Sequence, residues 1–260
     1  MNAIYKPIIT KQVIDDSHYY FVDGEYVPGV TTILHETLPT APQLRQWIGD
    51  LGSEKAQARM EVAADRGTRI HQACEDLLRA RPVNLKRDFP KYDEKKCITS
   101  FVDWVNVLHP TVVSPDHIEM VVASKAGFAG TLDLFCIIEN EPWIVDFKTT
   151  SGIYDSHKLQ LIAYQQAYLE MTGVNANVGI LHLNHKTKKG WTFMTKMEIG
   201  GRPLEFGDFM KVFEVYKVLN GGVIRPVPLR TAYPEILTLY EQEDVWLDKS
   251  KPSSVMSATA

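Results

Sequence analysis

The sequence of 260 residues has few of the features that most directly indicate a cofactor. It contains only three cysteines, Cys74, Cys97 and Cys136, and no two of them are close enough to form a CxxC pair. Zinc ribbons and iron–sulfur clusters built from local cysteines need such pairs, so we expect neither of them, and we expect a reducing compartment. No GxxxxGK[ST] motif is present, and we therefore expect no ATP site.

Long apolar runs and an excess of positive charge are missing as well. No run approaches the roughly 18 apolar residues that a membrane-spanning helix needs, and no signal-peptide pattern is visible. We therefore expect a soluble, cytoplasmic protein without a membrane partner, located in the host cytoplasm if a phage encodes it. The net charge of −4 produces no global positive field. A local basic patch can still bind nucleic acid. The oligomeric state is not indicated.

What is present is an ordinary globular composition, with 45% hydrophobic and 23% charged residues. The periodicity runs helix, three strands, helix and strand, which predicts an α/β fold with a mixed central β-sheet flanked by helices. We expect three parts: an N-terminal hairpin and helical cap over residues 1–60, a core over 61–245 and a disordered tail over 246–260.

Local signals set the expected element boundaries. Asp23-Gly24 is a turn signal inside a hairpin over 17–34. Gly67 is expected to interrupt or bend a helix, and Thr68 could cap the next one. The other expected helices cover 69–80, 98–108, 206–216 and a stretch from Asp155 or Ser156 to about 171, and a loop covers 81–95. The expected strands are 118–122, 131–138, 143–148 and 178–183.

The second and third of these strands carry two aspartates at matching distances from a turn. If the turn is centred between Glu139 and Asn140, counting places Asp133 opposite Asp146. Opposed residues of an antiparallel pair have Cβ atoms about 4.5–5.5 Å apart on one face. Two carboxylates that close repel each other unless a cation lies between them, and Mg²⁺ prefers carboxylate oxygens.

Lys148 follows two residues after Asp146 and therefore lies on the same face of the strand, whereas Val145 and Phe147 face the other way. A carboxylate pair with a lysine suits phosphodiester hydrolysis. A divalent ion there activates water and neutralises phosphate charge, and the lysine orients the water or stabilises the transition state.

Four motifs carry a resemblance to a known family. They are Gly130-Thr131-Leu132-Asp133, Val145-Asp146-Phe147-Lys148-Thr149, Gly67-Thr68-Arg69-Ile70-His71 and Gln160-Leu161-Ile162-Ala163-Tyr164. Jointly they resemble the PD-(D/E)xK nucleases, and most closely the RecB-like exonuclease branch with its single-domain phage and mitochondrial members. The resemblance covers about residues 60–185. The chain departs from the pattern in having Leu132 before Asp133, and it lacks the four cysteines of the iron–sulfur members.

The resemblance implies a restriction-endonuclease-like core of order αβββαβ. It implies one or two Mg²⁺ or Mn²⁺ ions held by His71, Asp133, Asp146 and the Phe147 backbone carbonyl, with Lys148 positioning the attacking water. Substrate contacts or support for the metal ligands are expected from Glu119, Gln160, Tyr164, Thr149, Arg66 and Arg69.

The implied activity is that of a DNA exonuclease that leaves a 5′-phosphate and a 3′-hydroxyl, in phage-type recombination, replication or repair. Single-stranded or duplex DNA ends are the expected partners, together with a single-strand annealing or binding protein. A structure-specific endonuclease for flaps or branches, a catalytically silent DNA-binding module and a hydrolase of RNA or nucleotides remain alternatives.

A few other residues allow two interpretations. Lys186, Lys188 and Lys189 form either a solvated hairpin turn or a DNA contact, and the turn is favoured. Trp47 and Tyr19 either stack on bases or pack within the protein, and packing is favoured.

Overall fold

The computed structural model describes residues 4–14 and 17–221, all within the compact unit Met1–Pro226. The helices are α1 (Val30–Thr37), α2 (Pro42–Leu51), α3 (Ser53–Leu78), α4 (Leu85–Asp88), α5 (Tyr92–Leu108), α6 (Asp155–Thr172) and α7 (Phe206–Leu219). The strands are β1 (Ile9–Ile14), β2 (Ser17–Val22), β3 (Glu25–Val27), β4 (Ile118–Ser124), β5 (Phe128–Ile138), β6 (Glu141–Lys148), β7 (Asn177–Leu183), β8 (Trp191–Met194), β9 (Glu198–Ile199) and β10 (Arg202–Pro203). The tail predicted over 246–260 lies outside the described residues.

The main sheet has five strands in the order β4-β5-β6-β7-β8. Strands β6 and β7 are parallel and the other neighbours are antiparallel, so the sheet is mixed, as predicted. Helix α6 is the crossover that parallel strands require. Glu139 and Asn140 both have positive φ, which a two-residue type I′ hairpin turn needs, and the predicted centre of the β5–β6 turn is therefore confirmed.

Helices cover both faces of this sheet. On one face α1, α6 and α7 pack against residues such as Val122, Leu132 and Ile144. On the other face α3 and α5 pack against side chains that include Leu134, Val145 and Phe147, which point away from the first face. The α/β architecture with flanking helices is confirmed. No helix in the described ranges combines the length and apolar character needed to cross a bilayer.

A second, smaller sheet has the order β1-β2-β3. The hairpin turn at Asp23 and Gly24 was predicted, and both residues have positive φ. The predicted extent of the hairpin to residue 34 was wrong, because Val30, Ile33 and Leu34 are buried on one side of α1 at helical spacing. Strand β1 was not predicted.

The expected break at Gly67 was also wrong. Helix α3 continues without interruption from Ser53 to Leu78, so Thr68 caps nothing. A Cβ atom at Gly67 would lie 3.1 Å from Thr149 Oγ1 at the end of β6. The glycine therefore serves a close approach between helix and strand. Glycine in a helix interior costs about 1 kcal/mol relative to alanine, and here this cost does not end the helix.

Three further boundaries differ from the expectations. The predicted loop over 81–95 contains α4 and the first turn of α5, which begins at Tyr92. The residue that caps α6 is Tyr154, immediately before the expected Asp155. Strand β8 was not predicted. The lysine-containing stretch from Asn184 to Gly190 forms the turn that joins β7 to it, which confirms that the stretch is a hairpin turn.

Candidate active site

The candidate site lies at the ends of β5 and β6. Their last paired residues at this end are Leu134 and Val145, and the same register continued by one residue brings Asp133 level with Asp146. Here the ladder is replaced by a side-chain contact, since the Phe147 N–H donates to Asp133 Oδ2 at 2.6 Å. The geometry that brings the two aspartates together therefore follows the hairpin counting.

Lys148 closes the cluster on the Asp146 side. Its Nζ donates to Asp146 Oδ1 at 3.0 Å and lies 2.7 Å from Oδ2. The second contact is short but lacks the angle of a hydrogen bond, so the buried Oδ2 has no hydrogen-bond partner. The Asp146 side chain is only 3% exposed, and a carboxylate oxygen at that depth that has an ion-pair contact but no hydrogen bond is costly.

Burial dominates the electrostatics of this cluster. It raises the pKa of Asp146 to about 6, against the lowering effect of Lys148, and it also raises the pKa of Asp133. Burial alone would lower the pKa of Lys148, but the two carboxylates outweigh it and the pKa lies above its ordinary value. Two buried carboxylates thus share one ammonium group, which leaves an excess of negative charge that favours a further cation.

His71 approaches this cluster from α3. Its Nδ1 lies 3.7 Å from Asp133 Oδ2, and its ring meets the Phe147 ring edge-on. Desolvation and the charge of Lys148 lower the pKa of His71 to about 4, against the opposing effects of Asp146 and of the Phe147 backbone. The imidazole is therefore neutral at pH 7, which is the form that coordinates metals.

Glu119 lies beside Asp133 on the neighbouring strand. It interrupts the β4–β5 ladder between Ile118 and Met120 and has a positive φ of 55°. Burial raises the pKa of Glu119 to about 7, and the Asp133 carboxylate adds to the shift, while Lys11 of β1 opposes it. The structure thus brings a third carboxyl group to the cluster.

Gln160 and Tyr164 form part of the wall behind the cluster. Gln160 Nε2 donates to the Tyr164 hydroxyl at 3.1 Å, and both side chains are buried. Burial raises the pKa of Tyr164 well above 10, with contributions from Asp146 and Asp133. A Cβ atom at Gly130 would collide with the Tyr164 ring, so the glycine of the Gly130-Thr131-Leu132-Asp133 motif allows this ring to lie against the strand.

The two predicted arginines are bound to protein groups. Arg66 donates to Asp93 Oδ2 at 3.1 Å and to the Thr149 carbonyl at 3.3 Å. Arg69 pairs with Glu94 at 3.1 Å, and its guanidinium lies over the Phe89 ring. Arg66 and Thr149 line the open cleft next to the cluster, whereas Arg69 is not part of its lining.

That cleft has a volume of about 840 Å³. His71, Phe147, Lys148 and Thr149 form its inner end. Its outer walls come from α2, α3, the loop before α6 and the turn after β7, through residues that include Trp47, Arg59, Tyr154 and Lys186. The cleft connects the charged cluster to solvent.

Sequence reasoning missed several residues of this site. Lys11 reaches Glu119 and Asp133 electrostatically from β1, a strand that was itself not predicted. His157 is near Lys148, and burial together with that charge lowers its pKa to about 3. Arg59 and Tyr154 line the cleft. The only local signal was the position of Tyr154 and His157 around the start of α6.

The donor set suits a hard divalent cation. Such ions take carboxylate oxygens, and Asp146 Oδ2 is a buried oxygen without a hydrogen bond, next to Asp133 and the neutral His71. Among the residues that the structure describes, no three histidine, cysteine, aspartate or glutamate side chains are already arranged around one point. Because Lys148 contacts both oxygens of Asp146, a bound cation and the ammonium would compete for that carboxylate.

No protein-family model matches this chain, and comparison with curated proteins likewise gives no match. The fold and the site together define an α/β class of protein with a five-stranded mixed sheet. Where the pairing of β5 and β6 ends, the buried Asp146 and the partly buried Asp133 share one lysine beside a neutral histidine.

Proposed function

We propose that this chain is a metal-dependent DNA exonuclease of the PD-(D/E)xK type. The observation that carries the proposal is the buried cluster in which Asp133 and Asp146 share the single ammonium of Lys148 at the inner end of an open cleft. Burying these groups is costly for folding, and a protein gains nothing structural from the excess negative charge. Phosphodiester hydrolysis would use that negative charge to bind the divalent cation that the reaction needs.

The residues divide the work by position. Asp133, Asp146, His71 and the Phe147 carbonyl would hold Mg²⁺ or Mn²⁺, which supplies charge neutralisation and a more acidic water when bound. Lys148 keeps a raised pKa and so stays protonated, which lets it donate to the attacking water or to the phosphate oxygens. Tyr164 and Gln160 hold the strand geometry behind the cluster.

The order of elements supports a restriction-endonuclease-like core. Helix α3, strands β4, β5 and β6, helix α6 and strand β7 occur in the order αβββαβ, with α4 and α5 inserted between α3 and β4. Helix α3 contributes His71, and β5 and β6 contribute the other groups. The products are then a 5′-phosphate and a 3′-hydroxyl. A role in phage-type recombination, replication or repair, with a single-strand annealing or binding protein as partner, belongs to the same proposal.

The test is digestion of end-labelled linear and circular DNA, single-stranded and duplex, with Mg²⁺, Mn²⁺ or EDTA. We expect metal-dependent loss of linear DNA alone, with Lys148→Ala and Asp146→Asn each at least about 100-fold slower. Asp103→Asn and Lys211→Ala, which change exposed residues on α5 and α7, serve as matched controls.

The other outcomes separate the alternatives. Cutting of circular DNA would replace the exonuclease with an endonuclease on the same residues. Binding of DNA without cutting under any metal would leave a silent module. Cutting that survives Lys148→Ala and Asp146→Asn would remove the cluster from the chemistry.

A further inference from the structure

The cleft beside the cluster has a charge that contrasts with the whole chain. The chain carries a net charge of −4, yet none of the described residues that line the cleft is acidic, and Arg59, Arg66, Lys148 and Lys186 are cationic. Arg66 is paired with Asp93 and Lys148 with Asp146, whereas the side chains of Arg59 and Lys186 take part in no salt bridge within the described residues and supply the unpaired positive charge of the cleft. The cleft therefore favours a polyanion.

Two aromatic rings accompany these cations. Trp47 of α2 and Tyr154, which precedes α6, both line the cleft, and Tyr154 is 36% exposed. The Tyr154 ring is held in place, because its hydroxyl lies 3.0 Å from Ser151 Oγ and the ring forms a T-shaped pair with His157. A positioned ring on an open surface is a stacking platform for a planar ligand.

One stretch of α3 lines the same cleft with small side chains. Ala63, Ala64 and Gly67 line the cleft at helical spacing, between Met60 and His71. Their small volume keeps the cleft wide next to its inner end, where Lys148 and Thr149 lie. These small side chains therefore leave space for a bound chain beside Lys148 and Thr149.

We propose that the cleft binds single-stranded DNA, with bases stacked on Trp47 and Tyr154 and phosphates held by Arg59 and Lys186. This inference rests on the proposed nuclease function for its direction, since the bound strand leads to Lys148. Single strands are favoured over duplex because paired bases are already stacked on each other and present no free faces to the two rings. The cleft thereby selects the substrate and aims the backbone at the cluster.

The test measures binding apart from cutting. Fluorescence anisotropy of a labelled oligothymidylate is followed in EDTA, with a hairpin duplex and an oligouridylate as competitors. Trp47→Ala and Tyr154→Ala should each weaken binding about tenfold, since each substitution removes one ring on which a base stacks. Trp47→Phe should retain most of the affinity, and Tyr92→Ala, which removes a 72% exposed ring on α5 outside the cleft, should change nothing.

The phosphate contacts have a separate readout. The affinity of the Arg59→Ala/Lys186→Ala double variant should fall less steeply with salt than that of the parent, because fewer counterions are released. Lys211→Ala, remote on α7, should keep the parental slope. Circular dichroism of each variant verifies that the fold is intact.

Several results would overturn the inference: tighter binding of the duplex or of oligouridylate, or parental affinity in both Trp47→Ala and Tyr154→Ala. The nuclease proposal fails separately. If oligothymidylate binds through the rings but is never cut with any metal, the cleft assignment stands alone. If DNA is cut and the rings do not affect binding, only the nuclease proposal stands.

Discussion

Two clusters of this protein pair aspartate with basic side chains at nearly equal distances, yet they differ in almost every other respect. In the candidate site Lys148 Nζ lies 2.7 Å from Asp146 Oδ2, and at the start of α7 Arg202 Nη1 lies 2.9 Å from Asp208 Oδ2. The Lys148 side chain is 16% exposed, whereas that of Arg202 is 61% exposed. Burial raises the pKa of Asp146 to about 6, while the hydrogen bond from Arg202 lowers the pKa of Asp208.

The contrast shows that the contact distance does not decide what an ion pair does. Asp208 accepts from the Glu205 N–H at the N-terminus of α7, where the helix dipole also favours a negative charge. Its ionised form therefore stabilises the fold. Asp146 is ionised at the expense of the fold, because water is excluded and its second oxygen has no hydrogen bond. The Asp208 cluster is structural, and we propose that the Asp146 cluster is retained for chemistry.

The largest expected effect is that of a divalent cation on the buried cluster. At free Mn²⁺ about a hundred times its dissociation constant, the free energy of unfolding should rise by about 2.7 kcal/mol, since the ion binds only the native state. Urea unfolding with Mn²⁺ or EDTA measures the effect. Asp146→Asn should lose it and Asp103→Asn should keep it. The same gain in all three proteins would place the ion elsewhere.

The surroundings of the two clusters differ in the same sense. A Cβ atom at Gly130 would collide with the Tyr164 ring behind the buried cluster, whereas a Cβ at Gly207, in the first turn of α7, would meet no atom within 4 Å. Gly130→Ala should therefore lower the free energy of unfolding by about 1–3 kcal/mol through overpacking. Gly207→Ala is the matched control and should be neutral or slightly stabilising.

Chemical denaturation of both alanine variants gives the comparison. A Gly130→Ala protein as stable as its parent would mean that the Tyr164 ring moves to accommodate the added methyl group at little cost. The position of the Tyr164 ring behind the aspartates would then make no measurable contribution to the free energy of unfolding.

The next effect tests the cost of ionised Asp146. Asn keeps an oxygen that accepts from Lys148 but removes one of the two negative charges that share it. In EDTA at pH 7, Asp146→Asn should be more stable than the parent by on the order of 1 kcal/mol, even though we expect it to be inactive. Equilibrium urea unfolding measures the difference. A marked loss of stability would show that the buried pair holds the fold together.

The same contrast separates what the sequence could predict from what it could not. Asp133, Asp146 and Lys148 were predictable because a local hairpin with a clear turn sets their register, and counting residues is then enough. Lys11 and the cleft depend on elements that meet only in three dimensions. Gly67 misled the prediction for the same reason, since its neighbour Thr149 is far away in the sequence.

The smallest expected effect belongs to the exposed cluster. Asp208→Asn should lower the urea midpoint slightly at pH 7, because the amide keeps a hydrogen-bond acceptor for the Glu205 N–H but loses the attraction to Arg202 and to the helix terminus.

The lowered pKa of Asp208 means that the unfolded chain binds its proton first as pH falls. The carboxylate therefore contributes stability above about pH 4, and this contribution is lost below that pH. The gap between parent and variant should be constant from about pH 8 to 5 and shrink below about pH 4, and salt should reduce it. A stability difference between parent and variant that widened in acid would mean that ionised Asp208 destabilises the fold, as we expect of ionised Asp146.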